Sequence, residues 1–144
     1  MKKLLLLALV AFAVLATGCD REKYAAHRSE RSKPKTEVTT DRIAIRRAPF
    51  PNLDILPDGQ LRVDDIEIPL KPEQRELLQT SFVKLQILRQ NTLTDAASNG
   101  AAPTSRTVRI DVPANQPVFP ADLAERVPEF KGYAEALANT QAVR

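Results

Sequence analysis

This 144-residue chain is predicted to fold as an α+β domain, and three observations carry that prediction. Apolar and polar residues alternate in short runs between Arg42 and Leu70, and again from Thr107 to Val112, the period of a half-buried strand. Between those stretches lies a longer segment, Pro72 to about Ala97, whose apolar residues recur at helical spacing. Strands come first and helices later without regular βαβ alternation, which favours a layered α+β arrangement over a parallel sheet. The expected architecture is a small antiparallel meander packed against one long helix, plus a further strand and short C-terminal helices.

Arg42-Ile43-Ala44-Ile45-Arg46 alternates until Pro49-Phe50-Pro51-Asn52 interrupts it. Leu53-Asp54-Ile55-Leu56 resumes the pattern, and Pro57-Asp58-Gly59 then marks a turn, Asp-Gly between alternating runs being a hairpin signal. Leu61 and Val63 form the next strand. A second turn is expected at Asp64-Asp65, before Ile66, Ile68 and Leu70.

Pro72 suits the first position of the helix, where no N–H is required, and Glu73 and Glu76 suit the positive end of its dipole. Lys71 is a poor cap. At 100° per residue Leu78, Phe82, Leu85, Leu93 and Ala96 share one stripe, widened by Leu77 and Leu88. Two features break the simple pattern. Val83 and Ile87, four apart, lie on the opposite side and need a second partner, either the C-terminal helices or another protein. Arg89 lies inside the stripe, where it must snorkel past the sheet or meet a carboxylate. Packing within the domain is expected for both.

Residues 98–105 read as a loop of small residues and proline. Thr107–Val112 is the cleanest alternating strand. Pro113, Pro117 and Pro120 break the next stretch, Asp122–Val127 reads as a short helical turn, and residues 129–142 read as an amphipathic helix carrying Phe130, Tyr133, Ala134, Leu137 and Ala138.

The amino-terminal segment is of another kind. Met1-Lys2-Lys3 is a short positive stretch, and Leu4 to Ala16 is an unbroken apolar run. A spanning helix needs about 20 apolar residues, so this run has the length of a signal-peptide core. Ala16-Thr17-Gly18-Cys19 follows and resembles the bacterial lipoprotein box, with Ala16 where that pattern usually has leucine. The resemblance implies cleavage between Gly18 and Cys19, a diacylglyceryl thioether on Cys19 and acylation of the new amino terminus. Asp20 resembles an inner-membrane retention signal. The expected location is the bacterial cell envelope, lipid-anchored and facing the periplasm.

The expected organisation is therefore a signal peptide at 1–18, a lipidated and disordered tether at 19–41, and one small α+β domain at 42–144. The net charge of +3 falls when Lys2 and Lys3 leave with the leader, giving 19 basic against 18 acidic side chains. Residues 20–47 hold nine basic and five acidic groups, against ten and thirteen in 48–144. A basic arm of this kind suits anionic lipid or cell-wall polymer; the interspersed acids suit a solvated linker.

Within the body, Leu53-Asp54-Ile55, Pro57-Asp58-Gly59-Gln60-Leu61, Ile66-Glu67-Ile68 and Leu70-Lys71-Pro72-Glu73-Gln74 give a strand, an Asp-Gly turn, a strand, and a helix opening with Pro-Glu-Gln. This run of about 35 residues is similar to uncharacterised YggN-like periplasmic proteins of proteobacteria. It implies structure and carries over no catalytic residue.

The residue inventory also bounds chemistry. One cysteine and one histidine are present. His27 lies in the tether, and the thiol of Cys19 is expected to be capped by lipid. A nucleophile with a histidine base or a His/Cys zinc site cannot be assembled from the body. Ser81 and Lys84 stand at i, i+3. Asp54, Asp58, Gly59 and Asp65 fall faintly like a calcium loop, with Leu56 and Arg62 spoiling two ligand places. No glycine-rich phosphate loop appears. The expectation is a non-enzymatic accessory or binding module, without a cofactor, metal, nucleic acid or evident small-molecule ligand. Its contacts would be the membrane, through lipid, and an envelope protein, through Val83 and Ile87 or the strand Thr107–Val112. The alternatives are a carboxylate-dependent envelope hydrolase using Asp58 or Asp64, and a cell-wall or lipopolysaccharide binder acting through the tether.

Overall fold

The structure, a computed structural model, describes residues 33–99 and 105–144. The leader, Gly18, Cys19, Asp20, His27 and the tether as far as residue 32 lie outside the described residues, as does the apex of the 98–105 loop.

Seven strands form one mixed sheet: β1 (Lys35–Val38), β2 (Ile43–Arg46), β3 (Leu53–Ile55), β4 (Leu61–Val63), β5 (Ile66–Ile68), β6 (Thr107–Arg109) and β7 (Thr140–Val143). Their spatial order is β5-β4-β3-β2-β1-β7-β6. Strands β1 to β5 make an antiparallel meander. Strand β7 lies parallel to β1, and β6 closes that end antiparallel to β7. The long helix α1 (Pro72–Ser98) precedes β6, and α2 (Leu123–Arg126), a 3₁₀ turn (Pro128–Phe130) and α3 (Ala134–Ala138) precede β7. The fold class is α+β, with a strand meander, one long helix and short C-terminal helices.

The period-2 rule sorts the two faces of the sheet. Val38, Ile43, Ile55, Leu61 and Ile68 lie opposite one another in register, as do Thr36, Ile45, Leu53, Val63 and Ile66. These two rows lie on the core side of the sheet, although Ile66, on the edge strand, is itself exposed. The intervening row on the other face reads Glu37, Ala44, Asp54, Arg62, Glu67. Asp54 is buried there because Arg46 caps it at 2.7 Å and Arg42 approaches at 3.9 Å. The apolar side is covered by α1 toward β6, β7 and β1, and by α3 over β1 and β2. Leu78, Phe82 and Leu85 of α1 join Leu123, Val127, Phe130, Tyr133 and Ala136 in a single core.

Both hairpin turns use backbone that few side chains allow. At the first, Leu56 N donates to Gln60 O (2.9 Å) and Gly59 N to Leu56 O (2.9 Å), with Gly59 at φ 80°. This is a three-residue loop ending in a left-handed residue. Glycine is required twice over, since a Cβ there would stand 2.1 Å from Arg75 O. At the second, Asp64 (φ 47°) and Asp65 (φ 67°) take the two left-handed positions of a type I′ turn. Asp64 Oδ1 also accepts the Asn52 N–H at 2.8 Å.

Helix α1 starts at Pro72, as expected, and its weak cap is compensated. The Lys71 N–H donates to Gln74 Oε1 (2.8 Å), the side-chain half of a capping box. Arg75 grips the first hairpin through the Asp58 carboxylate and through Asp58 O, the latter at 3.0 Å.

Three expectations are corrected. The domain begins at Pro34, not at residue 42. The segment 35–41, expected in the tether, supplies β1 at the heart of the sheet. Thr36 and Val38 are buried, Thr36 Oγ1 donates to Ala136 O (2.8 Å), and Lys35 pairs with Glu37 on the other face at 2.8 Å. The expected helix over 129–142 is broken by Gly132 (φ 91°), re-forms only over Ala134–Ala138, and gives way to β7. Backbone pairing with β1 overrides alanine's helical preference there. The strand expected over Thr107–Val112 ends at Arg109, although Ile110 N still donates to Thr140 O (2.9 Å).

Candidate docking surface on the long helix

Val83 and Ile87 are 51% and 57% exposed. Packing inside the domain, expected for this pair, does not occur. The C-terminal helices cover the same sheet face as α1, beside it, so nothing among the described elements stacks behind the long helix. Arg89, in contrast, is settled internally. Its Nε and Nη2 donate to Val143 O at 3.0 and 2.8 Å, so its partner is the last strand's carbonyl and not a carboxylate.

The segment 111–120 runs along the flank of α1 and shapes the ground around this pair. Lys84 Nζ reaches Pro117 O (3.4 Å) and Ser81 Oγ donates to Val118 O (3.1 Å). The Ser81 and Lys84 pair at i, i+3 thus holds the loop to the helix. On one side of the Lys84 bridge, Ile87, Leu88, Pro113, Pro117 and Val118 line a groove of about 410 Å³. On the other, Glu73, Leu77, Thr80 and Arg126 help to line one of about 530 Å³. Ile87 is therefore the outer lip of a largely apolar groove, and Val83 stands one turn away.

The second expected contact, the edge at Thr107–Val112, is mostly blocked. Arg106 O accepts from Arg144 N and Ile110 N donates to Thr140 O, so even-numbered residues face β7 and odd-numbered ones face outward. The outward groups of Thr107 are taken by Ser105, whose hydroxyl donates to Thr107 O (2.8 Å) and accepts from Thr107 N (3.3 Å). Pro113, the next outward position after Asp111, has no N–H to offer. Such blunting guards a strand edge against foreign pairing. Ser105 was not singled out from the sequence; a serine two residues before a strand's outward threonine is the signal that was there to read.

Asp54, Asp58 and Asp64 have structural duties. The Gln60 N–H and the Arg75 guanidinium beside Asp58 hold its carboxyl below the usual range. Asp64 closes a turn, and Asp54 is bound to Arg46. Among the described residues no three acidic, His or Cys side chains stand close enough to hold a metal ion. Tyr133, buried, has its hydroxyl pushed above the usual range by burial first and by Asp64 next, and donates to Pro51 O (2.6 Å). Phe50 packs edge-on against it at 5.6 Å, beneath the Arg47 guanidinium.

The chain matches no family model, no curated protein and no solved structure.

Proposed function

We propose that this chain is a lipid-anchored bacterial envelope protein, attached through Cys19, that acts as a non-enzymatic accessory module by docking an envelope protein on α1. The observation that carries the docking half is the exposure of Val83 and Ile87 beside the groove at Pro113 and Pro117. Two branched apolar side chains one turn apart, continued by an apolar groove, give a partner contiguous apolar ground to cover. The anchoring half is supported by the Lys2-Lys3 stretch, the apolar run and Ala16-Thr17-Gly18-Cys19.

The start of the domain at Pro34 sharpens this reading. The linker after Cys19 shortens from the expected 20–41 to residues 20–33.

The anchor is tested by mass and fractionation. Cys19→Ala should lose the acyl mass and leave the membrane fraction, and a membrane-bound variant would overturn it. Docking is tested by crosslinking and pull-down of the intact lipoprotein from native envelopes. Reproducible protein partners that disappear with Ile87→Lys support the reading; identical captures with and without that substitution sink it.

A further inference from the structure

The exposed side of α1 has a periodicity of its own. Thr80, Val83, Ile87, Gln90, Thr94 and Ala97 follow one another at alternating spacings of three and four, and all six are exposed. This is the repeat by which one helix presents a continuous seam to another. None of the six is charged, although charged residues make up 27% of the chain and normally line the solvent side of a helix. The two large apolar members, Val83 and Ile87, sit near the centre of the seam.

We infer that this seam docks on the same seam of a second copy, with the two helices antiparallel and Val83 of one copy against Ile87 of the other. The inference rests on the reading of this pair as contact residues and of Cys19 as a membrane anchor. A closed twofold sets a surface against itself, so a charge near the axis meets its own copy. The seam itself is uncharged, which removes that penalty along it, and Lys84, exposed on its flank, is turned aside to Pro117 O (3.4 Å). Orientation follows from the N-terminal continuation of the seam, Glu73 and Glu76, both exposed. A parallel pair would set acid against acid there, whereas the antiparallel register sets Glu76 opposite Thr94 and Glu73 opposite Ala97. The groove at Leu88, Pro113 and Pro117 extends the apolar ground beyond the helix itself. A single helix pair falls at the small end of specific interfaces, below about 1,200 Å² in total. The dimer therefore belongs to the membrane, where anchoring raises the local concentration of copies.

The test uses the full lipid-bearing chain in phosphatidylethanolamine and phosphatidylglycerol vesicles, scored by a bifunctional diazirine photocrosslinker, whose insertion does not depend on the amine that a variant adds. The native chain should give a dimer band. Ile87→Lys should reduce it about tenfold or more, because charge is brought to a seam that fits only uncharged groups. The double variant Val83→Glu with Ile87→Lys should regain the band, since only an antiparallel pair sets each new carboxylate against the new ammonium of the other copy. Both variants should melt near the native temperature, these sites being exposed. A native chain that stays monomeric, an Ile87→Lys dimer at native yield, or a double variant no better than the single one would each overturn the inference. If the vesicles hold monomers while envelopes yield an Ile87-dependent partner of another sequence, the docking reading stands and the second-copy inference falls.

Discussion

The two sides of the sheet are assembled by different means. The meander from β1 to β5 is built from neighbours in sequence joined by short loops, the last two with their geometry set by Gly59, Asp64 and Asp65. The β7–β6 side is built from distant segments: Thr36 lies beside Thr140, and Val108 beside Ala142. It is fastened by a few long-range hydrogen bonds, from Arg89 to Val143 O, from Thr36 to Ala136 O, and from Asn139 Nδ2 to Pro34 O (2.9 Å). Local turns dictate the first region, and point contacts hold the second.

The sharpest way to break the first region is Gly59→Ala. The left-handed backbone and the clash with Arg75 O act together, and a loss of about 3 kcal/mol or more is expected in urea unfolding. The nearest comparison in the second region is Arg89→Met, which keeps the apolar stem and removes the charge-assisted bonds to Val143 O. A loss of about 1.5–3 kcal/mol is expected. Amide hydrogen exchange should rise in β7 and β6 and stay nearly unchanged in β3 and β4; a uniform rise would contradict the division drawn here. Thr36→Val keeps the shape of the strand and removes the bond to Ala136 O, which retains the Asn139 N–H (3.2 Å); a cost of about 0.5–1.5 kcal/mol for the lost hydrogen bond is expected in thermal melts.

Asp58 gives the smallest effect and a pH signature. Its carboxyl is held below the ordinary range in the fold, so its contribution is present above the unfolded-state value and is lost as pH falls through the folded one. The stability gap between the native chain and Asp58→Asn should therefore be constant near neutrality and close below about pH 4. A gap that widens on acidification would show that Arg75 does not hold the ionised form.

The same division explains what could be read in advance. Strands β2 to β5, the two turns among them and the span of α1 were legible because their causes are local: alternation, Asp-Gly, and a proline at the start of the helix. Strand β1 was hidden although Lys35-Thr36-Glu37-Val38 does alternate, since the charged context around it reads as linker. Strand β7 was hidden because Ala134, Ala136, Ala138 and Ala142 favour a helix, and only pairing with β1, about a hundred residues earlier, decides otherwise. Val83 and Ile87 were visible as outliers from the stripe. That they stay exposed depends on where α2 and α3 lie, which no local pattern encodes. The groove at Pro113 and Pro117 depends on how that loop crosses the helix, and is likewise a tertiary fact.

The entry of the chain into the sheet at β1 also has a mechanical side. Tension on the segment before Pro34 is delivered along a strand flanked by β2 on one side and β7 on the other. Its hydrogen bonds to both neighbours are loaded together in shear, so they cannot be peeled away one at a time as at a hairpin end. A domain pulled from this point resists as a block, and its outermost strand, β6, bears none of the load directly.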